Sequence, residues 1–198
     1  MSDPIAEAVA AALAGRLIVL PTDTVYGIGS RPDDAAATAA IFAAKGRPRD
    51  LELPVLVPSR AAAELVSRMD GRASALAERF WPGPLTMVLA RSDVSHGWDL
   101  GGDARTVGLR MPRHPLALAV LERTGPLAVT SANRSGEPPA STCAALADAF
   151  GDAVAVYLCE DVPLVGVAST VVDLTADEPR ILREGAVSLD DVRRSLAG

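Results

Sequence analysis

Gly15-Arg16-Leu17-Ile18-Val19-Leu20-Pro21-Thr22-Asp23-Thr24-Val25-Tyr26-Gly27-Ile28-Gly29-Ser30 decides the fold class. Residues 16–20 form a short apolar run of β-rich composition with a turn signal at each end, as in a strand inside a covered sheet. Pro21 stops the run. Thr22, Asp23, Thr24 and Tyr26 follow, with Gly27 and Gly29 admitting backbone conformations closed to residues that carry a β-carbon, so a polar loop is expected here. Asp33 or Asp34 then caps a helix over 35–44, Gly46 stops it, and Lys45 and Arg47 stand at its exit. Strand, loop and helix in this order predict an open α/β sheet, in which ligands sit outside the strand ends.

Each of these residues also has an ordinary reading. Thr and Asp after a strand make turns, and basic residues near a helix end complement its dipole. Composition singles out one of them. Eighteen of the 19 basic residues are arginine, and Lys45 is the only lysine. An ammonium is a flexible point charge that arginine does not replace at phosphates.

A chain of 198 residues with 49% apolar content is expected to form one domain, 1–198, with a real core. No apolar run approaches the roughly 18 to 20 residues that cross a bilayer, and residues 1–14 lack the basic start and apolar core of a signal peptide. The expected location is the cytoplasm, with no membrane contact. Cys143 and Cys159 lack CxxC spacing and are expected to be reduced, buried thiols. His96 and His114 are the only histidines, so no HExxH or multi-histidine metal site can be built. A net charge of −6 argues against a protein that coats nucleic acid. Yet Lys45, Arg47, Arg49, Arg110, Arg113, Arg134 and Arg183 all lie in or directly beside the six sequence blocks quoted below, which predicts a positive cleft on an acidic body.

The rest of the chain alternates helices and strands. Asp3-Pro4 opens a helix that ends at Gly15, 53–58 reads as a strand, and Ser59 caps a helix to about Arg68. A helix over 72–79 is followed by Trp81-Pro82-Gly83-Pro84, a rigid corner, and by a strand over 85–90. Residues 91–105 read as a loop. A strand over 106–110, a helix over 115–123 with His114 in its N-cap region, and a strand over 126–131 make a β-α-β pattern. Residues 131–136 form a loop dense in small hydrogen-bonding groups, which reads equally as ordinary turn chemistry and as a set of donors for phosphate oxygens. A helix opened by Thr142, strands over 154–158, 171–174 and 180–183, and a helix capped by Ser188 complete the order. Gly27-Ile28-Gly29 begins like a dinucleotide fingerprint, but Pro32 stands where its third glycine belongs, and neither GxxxxGK[ST] nor GxSxG occurs.

Six blocks in order, PTDTVYGIG with KGRP (21–29 and 45–48), FWPGPLTMVL (80–89), TVGLRMPRHP (106–115), AVTSANRSGEPP (128–139), STVVDL (169–174) and ILREGAV (181–187), resemble the YrdC/TsaC family of threonylcarbamoyl-AMP synthases. The resemblance spans nearly the whole chain. It implies a YrdC-like twisted open mixed sheet with flanking helices and a concave positive cleft. It also implies conversion of L-threonine, bicarbonate and ATP, with Mg2+, into threonylcarbamoyl-AMP and pyrophosphate. The product serves formation of threonylcarbamoyladenosine (t6A) in tRNA, through separate transferase proteins and possible direct contact with tRNA.

By position, the resemblance implies catalytic and triphosphate-holding roles for Lys45 and Arg47 and threonine-binding roles for Thr24, Arg110 and Ser169. Nucleotide contacts fall on Thr106, Ser131, Asn133 and Arg183. Arg110 suits the substrate carboxylate as a bidentate partner. No resident metal ligand and no general base are named. Three departures stand out: Leu56 where some members have histidine, Leu51-Glu52 for asparagine-proline, and Pro139 for serine. A different class, an RNA- or nucleotide-binding relative without activity, would bind independently of threonine. A carbamate and a mixed anhydride hydrolyse readily, so residues 161–168, with Pro and Gly beside Ser169, are expected to act as a mobile cover.

Overall fold

The computed structural model describes residues 3–160, 164 and 166–196. Local signals set most boundaries. Helix α1 (Pro4–Leu13) starts where the Asp3 carboxylate accepts from the Ile5 amide at 3.0 Å, with proline at N1. Helix α2 (Ala35–Lys45) is capped by Asp34, and Gly46 ends it in the left-handed region at φ 60°. Ser59, Asp70 and Thr142 cap α3 (Arg60–Val66), α4 (Gly71–Phe80) and α6 (Cys143–Phe150) in the same way. Helices α5 (Pro115–Thr124) and α7 (Leu189–Leu196) complete the set among the described residues.

Among the described residues the strands form one nine-stranded sheet, in the spatial order β7 (Val154–Tyr157), β1 (Leu17–Leu20), β2 (Gly27–Ser30), β6 (Leu127–Ser131), β3 (Val55–Leu56), β5 (Thr106–Arg110), β4 (Leu85–Ala90), β8 (Thr170–Asp173) and β9 (Arg180–Arg183). Three pairs are parallel, β7–β1, β3–β5 and β4–β8; the other five are antiparallel. This mixed sheet with helices against it is the architecture expected. Strand β1 is buried along its whole length. Ile18 and Leu20 pack with α1 and α5, whereas Leu17 and Val19 belong to the larger core of α2, α4 and the central strands. Burial on both faces is why residues 17–20 read as a continuous apolar run.

Four expectations are corrected. Residues 27–30 are not loop but strand β2, antiparallel to both β1 and β6. Gly27 and Gly29 serve close approach: a β-carbon on them would lie 2.4 Å from Val129 Cγ1 and 2.2 Å from the Ala128 carbonyl oxygen. The strand over 53–58 shrinks to Val55–Leu56. That short strand lies between β5 and β6 and pairs with both, so the β-α-β pattern over 106–131 does not yield adjacent parallel strands. Finally, Cys143 and Cys159 form a disulfide with a Cα–Cα distance of 5.7 Å. Spacing in sequence does not reveal such a pair; packing α6 against β7 creates the separation a bridge requires.

Candidate active site

A cleft of about 340 Å³ lies against the sheet. Its lining includes the strand residues Leu56, Thr86, Arg110, Val129 and Thr130 as well as loop residues. The expectation of a site outside the strand ends is therefore corrected. In a mixed sheet the carboxyl ends of the strands do not share one edge, so the ligand space opens over the sheet itself. Arg47, Arg110 and Arg183 line the cleft, and among the described residues no Asp or Glu does. Burial lowers the pKa of all three guanidiniums, and Arg183 depresses Arg47 and Arg110 further by repulsion. Each stays charged, so the cleft favours anions.

The loop after β1 holds Arg110 in place. Its Nη2 donates to Asp23 Oδ1 at 2.6 Å, its Nη1 to Thr24 Oγ1 at 2.8 Å and its Nε to the Gly83 carbonyl at 3.1 Å. Asp23 Oδ1 also accepts from the Arg113 amide at 2.8 Å. The Trp81–Pro84 corner is thus more than a bend, because its Gly83 carbonyl orients Arg110. A fork with all three nitrogens engaged keeps two N–H groups for a ligand.

Hydroxyl polarity follows from the bonds present. Thr22 Oγ1 donates to the Val25 carbonyl at 2.6 Å, so it must accept the 3.0 Å bond it shares with Thr24 Oγ1. Thr24 spends its hydrogen on Thr22, accepts from Arg110, and retains one lone pair, which makes it an acceptor toward the cleft.

Arg47 is aimed by carbonyls: Nε donates to Leu51 O at 3.1 Å and Nη2 to Glu52 O at 2.9 Å, leaving Nη1 for a ligand. Arg183 donates to the Ser169 carbonyl at 2.8 and 3.0 Å and to Ser169 Oγ at 3.0 Å. Lys45 is placed differently. It is 2% exposed and does not line the cleft. Its ammonium donates to the carbonyls of Ser131 and Asn133 and to Asn133 Oδ1 at 3.3 Å. Burial first, then Arg47, pulls its pKa from 10.5 down to about 8. In this arrangement Lys45 shapes the 131–133 loop from behind, and its Nζ reaches a phosphate only by giving up those acceptors.

Ser131 and Asn133 line the cleft, and Pro139 faces it too. Thr106 lies apart from it, at the opposite end of β5 from Arg110, where its hydroxyl donates to Glu52 Oε2 and the Asp103 carbonyl. That puts Thr106 beside the loop that orients Arg47. His114 is the α5 N-cap residue, with Nε2 3.2 Å from Glu160 Oε1. Of the expected cover, residues 161–163 and 165 lie outside the described residues. Gly166 packs against the Thr24 carbonyl, where no β-carbon would fit, and Ala168 and Ser169 line the cleft.

The sequence assigns no site role to Asp23, Thr86 or Glu52. Asp23 carries a signal, being a carboxylate between two cleft-side threonines, and Thr86 is a polar residue inside an otherwise apolar strand. Glu52 stands out only as part of the Leu51-Glu52 departure, which gives no hint of its burial. Buried beside Arg91, it is pushed up to about 7, chiefly by desolvation.

A mixed α/β sheet carrying a cationic, hydroxyl-rich cleft defines a class of anion-binding protein, and comparison narrows it. The family Sua5_yciO_yrdC, described as telomere recombination, matches residues 10–185, and this chain belongs to it. A Mycobacterium tuberculosis protein is 47% identical over 193 residues, covering 97% of this chain and 88% of that protein, and its name assigns threonylcarbamoyl-AMP synthase activity provisionally. Threonylcarbamoyl-AMP synthase of Pyrococcus abyssi is 39% identical over 182 residues, which are 91% of this chain and 53% of that protein. The crystal structure of P. abyssi Sua5 complexed with L-threonine superposes with a TM-score of 0.88 at 36% identity, over 99% of this chain and 58% of that one.

Proposed function

We propose that this chain forms L-threonylcarbamoyl-AMP and pyrophosphate from L-threonine, bicarbonate and ATP. The observation that carries the reading is the cleft lined by Arg47, Arg110 and Arg183 with no acidic side chain among the described residues, in a chain 47% identical to a relative named for this activity. The nitrogen of the neutral threonine amine bonds to the carbon of CO2, which bicarbonate yields by losing hydroxide; the amine proton and that hydroxide leave as water, and a carbamate oxygen then attacks the α-phosphorus as pyrophosphate leaves in line. Negative charge grows on the phosphate oxygens during that step. Arg47 and Arg183 are fixed cations for it, because each is already oriented by carbonyl acceptors and needs no reorganisation. Arg110 attracts the substrate carboxylate with its two remaining N–H groups, and the Thr24 acceptor suits an N–H or O–H of the amino acid. Ser131 and Asn133, held by Lys45, border the nucleotide side.

Mg2+ enters with ATP. Among the described residues no group of three or more His, Cys, Asp or Glu side chains able to hold a metal occurs and the cleft lining has no carboxylate, so the donor set these residues offer does not fit a resident ion. No step is routed through it. The adenylate would pass to separate transferase proteins acting on tRNA, in the cytoplasm. No described helix is long and apolar enough to cross a membrane. The Cys143–Cys159 bridge is a pairing that a reducing compartment would keep open.

The test is pyrophosphate release from MgATP and bicarbonate, with and without L-threonine, with product mass. Threonine-dependent release, reduced about 100-fold or more in R47A, is expected. Release indifferent to threonine, or none from folded protein, would replace the synthase with a nucleotide-binding relative.

A further inference from the structure

Thr86 on β4 faces Ser169, which immediately precedes β8, across the parallel β4–β8 pair. Their hydroxyl oxygens are 2.8 Å apart, both residues line the cleft, and they are 4% and 5% exposed. Two hydroxyls own two hydrogens, and one lies in the bond between them. Arg183 donates to Ser169 Oγ, so it cannot receive the other. Among the described residues neither hydroxyl has a further acceptor. One O–H is therefore left over. It belongs to Thr86 if Ser169 donates within the pair, and to Ser169 if Thr86 does.

We propose that the Thr86–Ser169 couple presents a single hydroxyl donor to an acceptor oxygen of the amino-acid substrate, and that Thr86 is a specificity-determining residue of the cleft. The inference rests on the synthase reading. Its counterpart is Thr24, whose hydrogen is spent and which offers a lone pair. The two hydroxyl positions thus have opposite polarity, and an amino acid carries both kinds of partner. Free threonine at neutral pH carries an ammonium, which has no lone pair and cannot accept from the couple when the amino acid binds. The acceptor is a carboxylate or hydroxyl oxygen. The Arg183 cation polarises the Ser169 hydroxyl, which strengthens whichever O–H is delivered. Packing alone does not call for threonine here, since valine has the same branched shape and suits a strand as well.

The test uses purified full-length protein and steady-state pyrophosphate release, with calorimetric titration of L-threonine. T86V should raise the threonine KM and Kd about tenfold, the scale of one good hydrogen bond, while the ATP KM stays within twofold. T86S should restore wild-type values. S169A should weaken threonine too, and the double variant should be no worse than the more damaging single one, because the couple acts as a unit. Titration with L-2-aminobutyrate, which lacks the hydroxyl, separates the two oxygens: the T86V penalty persists with it if the partner is the carboxylate and disappears if the partner is the hydroxyl. Threonine affinity within twofold of wild type in T86V would overturn the proposal, as would equal rises in both KM values. If T86V does not fold, unchanged threonine affinity in S169A overturns it equally. Wild-type protein that neither binds threonine nor releases pyrophosphate defeats the synthase reading and this proposal together; an active wild type with an unaffected T86V defeats this proposal alone.

Discussion

Two arginine–carboxylate pairs are buried in this molecule to a similar degree, and they behave differently. Arg110 and Asp23 have side chains 8% and 13% exposed, Arg91 and Glu52 1% and 18%. Depth of burial therefore does not separate them. In the first pair the atoms meet at 2.6 Å and Asp23 Oδ1 also receives a backbone N–H, so among the described residues only the Oδ2 of that pair is without a partner. In the second they stand 3.5 Å apart, close enough for Coulomb attraction and too far for a hydrogen bond, and Glu52 Oε1 and Arg91 Nη2 have no hydrogen-bond partner. Desolvation then dominates, and the Glu52 carboxyl rises from 4.5 to about 7. Charges in the cleft are locked by geometry, whereas the pair behind the Arg47 loop is left titratable.

Removing the carboxylate of the tight pair should have the largest effect. D23A strands the Arg110 guanidinium in a buried site, and we expect a loss of about 3 to 5 kcal/mol in denaturant unfolding, together with loss of threonine-dependent turnover. A change below about 1 kcal/mol would mean that Gly83 and Thr24 suffice to hold Arg110, and the contrast between the pairs would collapse.

The loose pair should respond with the opposite sign. Between pH 4.5 and 7 the folded chain keeps a proton on Glu52 that the unfolded chain has released, so this group's contribution to stability falls as pH rises through that window. E52Q cannot ionise. It should gain about 2 to 3 kcal/mol over wild type at pH 8 and nothing near pH 4.5. Arg91 tolerates the change because it already donates to the carbonyls of Thr106, Ser95 and Trp98. Destabilisation by E52Q at pH 8 would show that the 3.5 Å attraction outweighs desolvation.

R110K sharpens the comparison at the smallest scale. It keeps the charge beside Asp23 and removes the fork that reaches Gly83, Thr24 and Asp23 together. A stability cost of about 1 to 2 kcal/mol is expected, with a raised threonine KM. If the lysine variant matched wild type in both, charge alone would account for the tight pair.

How much was legible beforehand varies with the range of the cause. The caps at Asp3, Asp34, Ser59 and Thr142 and the stop at Gly46 were readable, because each is satisfied within a few residues of itself. Strand β2 was not. The two glycines weaken the strand signal of Ile28, and the segment is extended because it pairs with β1 and β6, whose close approach leaves no room for β-carbons at Gly27 and Gly29. The site divides similarly. Motif blocks pointed to Arg47, Thr24, Arg110, Ser131, Asn133, Ser169 and Arg183, and all seven line one cleft. They did not reveal that Lys45 stands behind that cleft or that Thr106 supports the loop beside it.

By itself the sequence determined the alternation of helices and strands, the buried character of residues 17–20 and the identity of the cationic and hydroxyl groups, since propensity, periodicity and side-chain chemistry are local properties. Only the tertiary structure decided which groups are spent and which are free. Asp23 meets Arg110 across 87 positions, Lys45 meets Ser131 across 86, and Thr86 meets Ser169 across 83. Once one partner takes a hydroxyl hydrogen or a guanidinium N–H, what remains for a substrate follows by subtraction, and those partners are set by strand register rather than by neighbours in the chain.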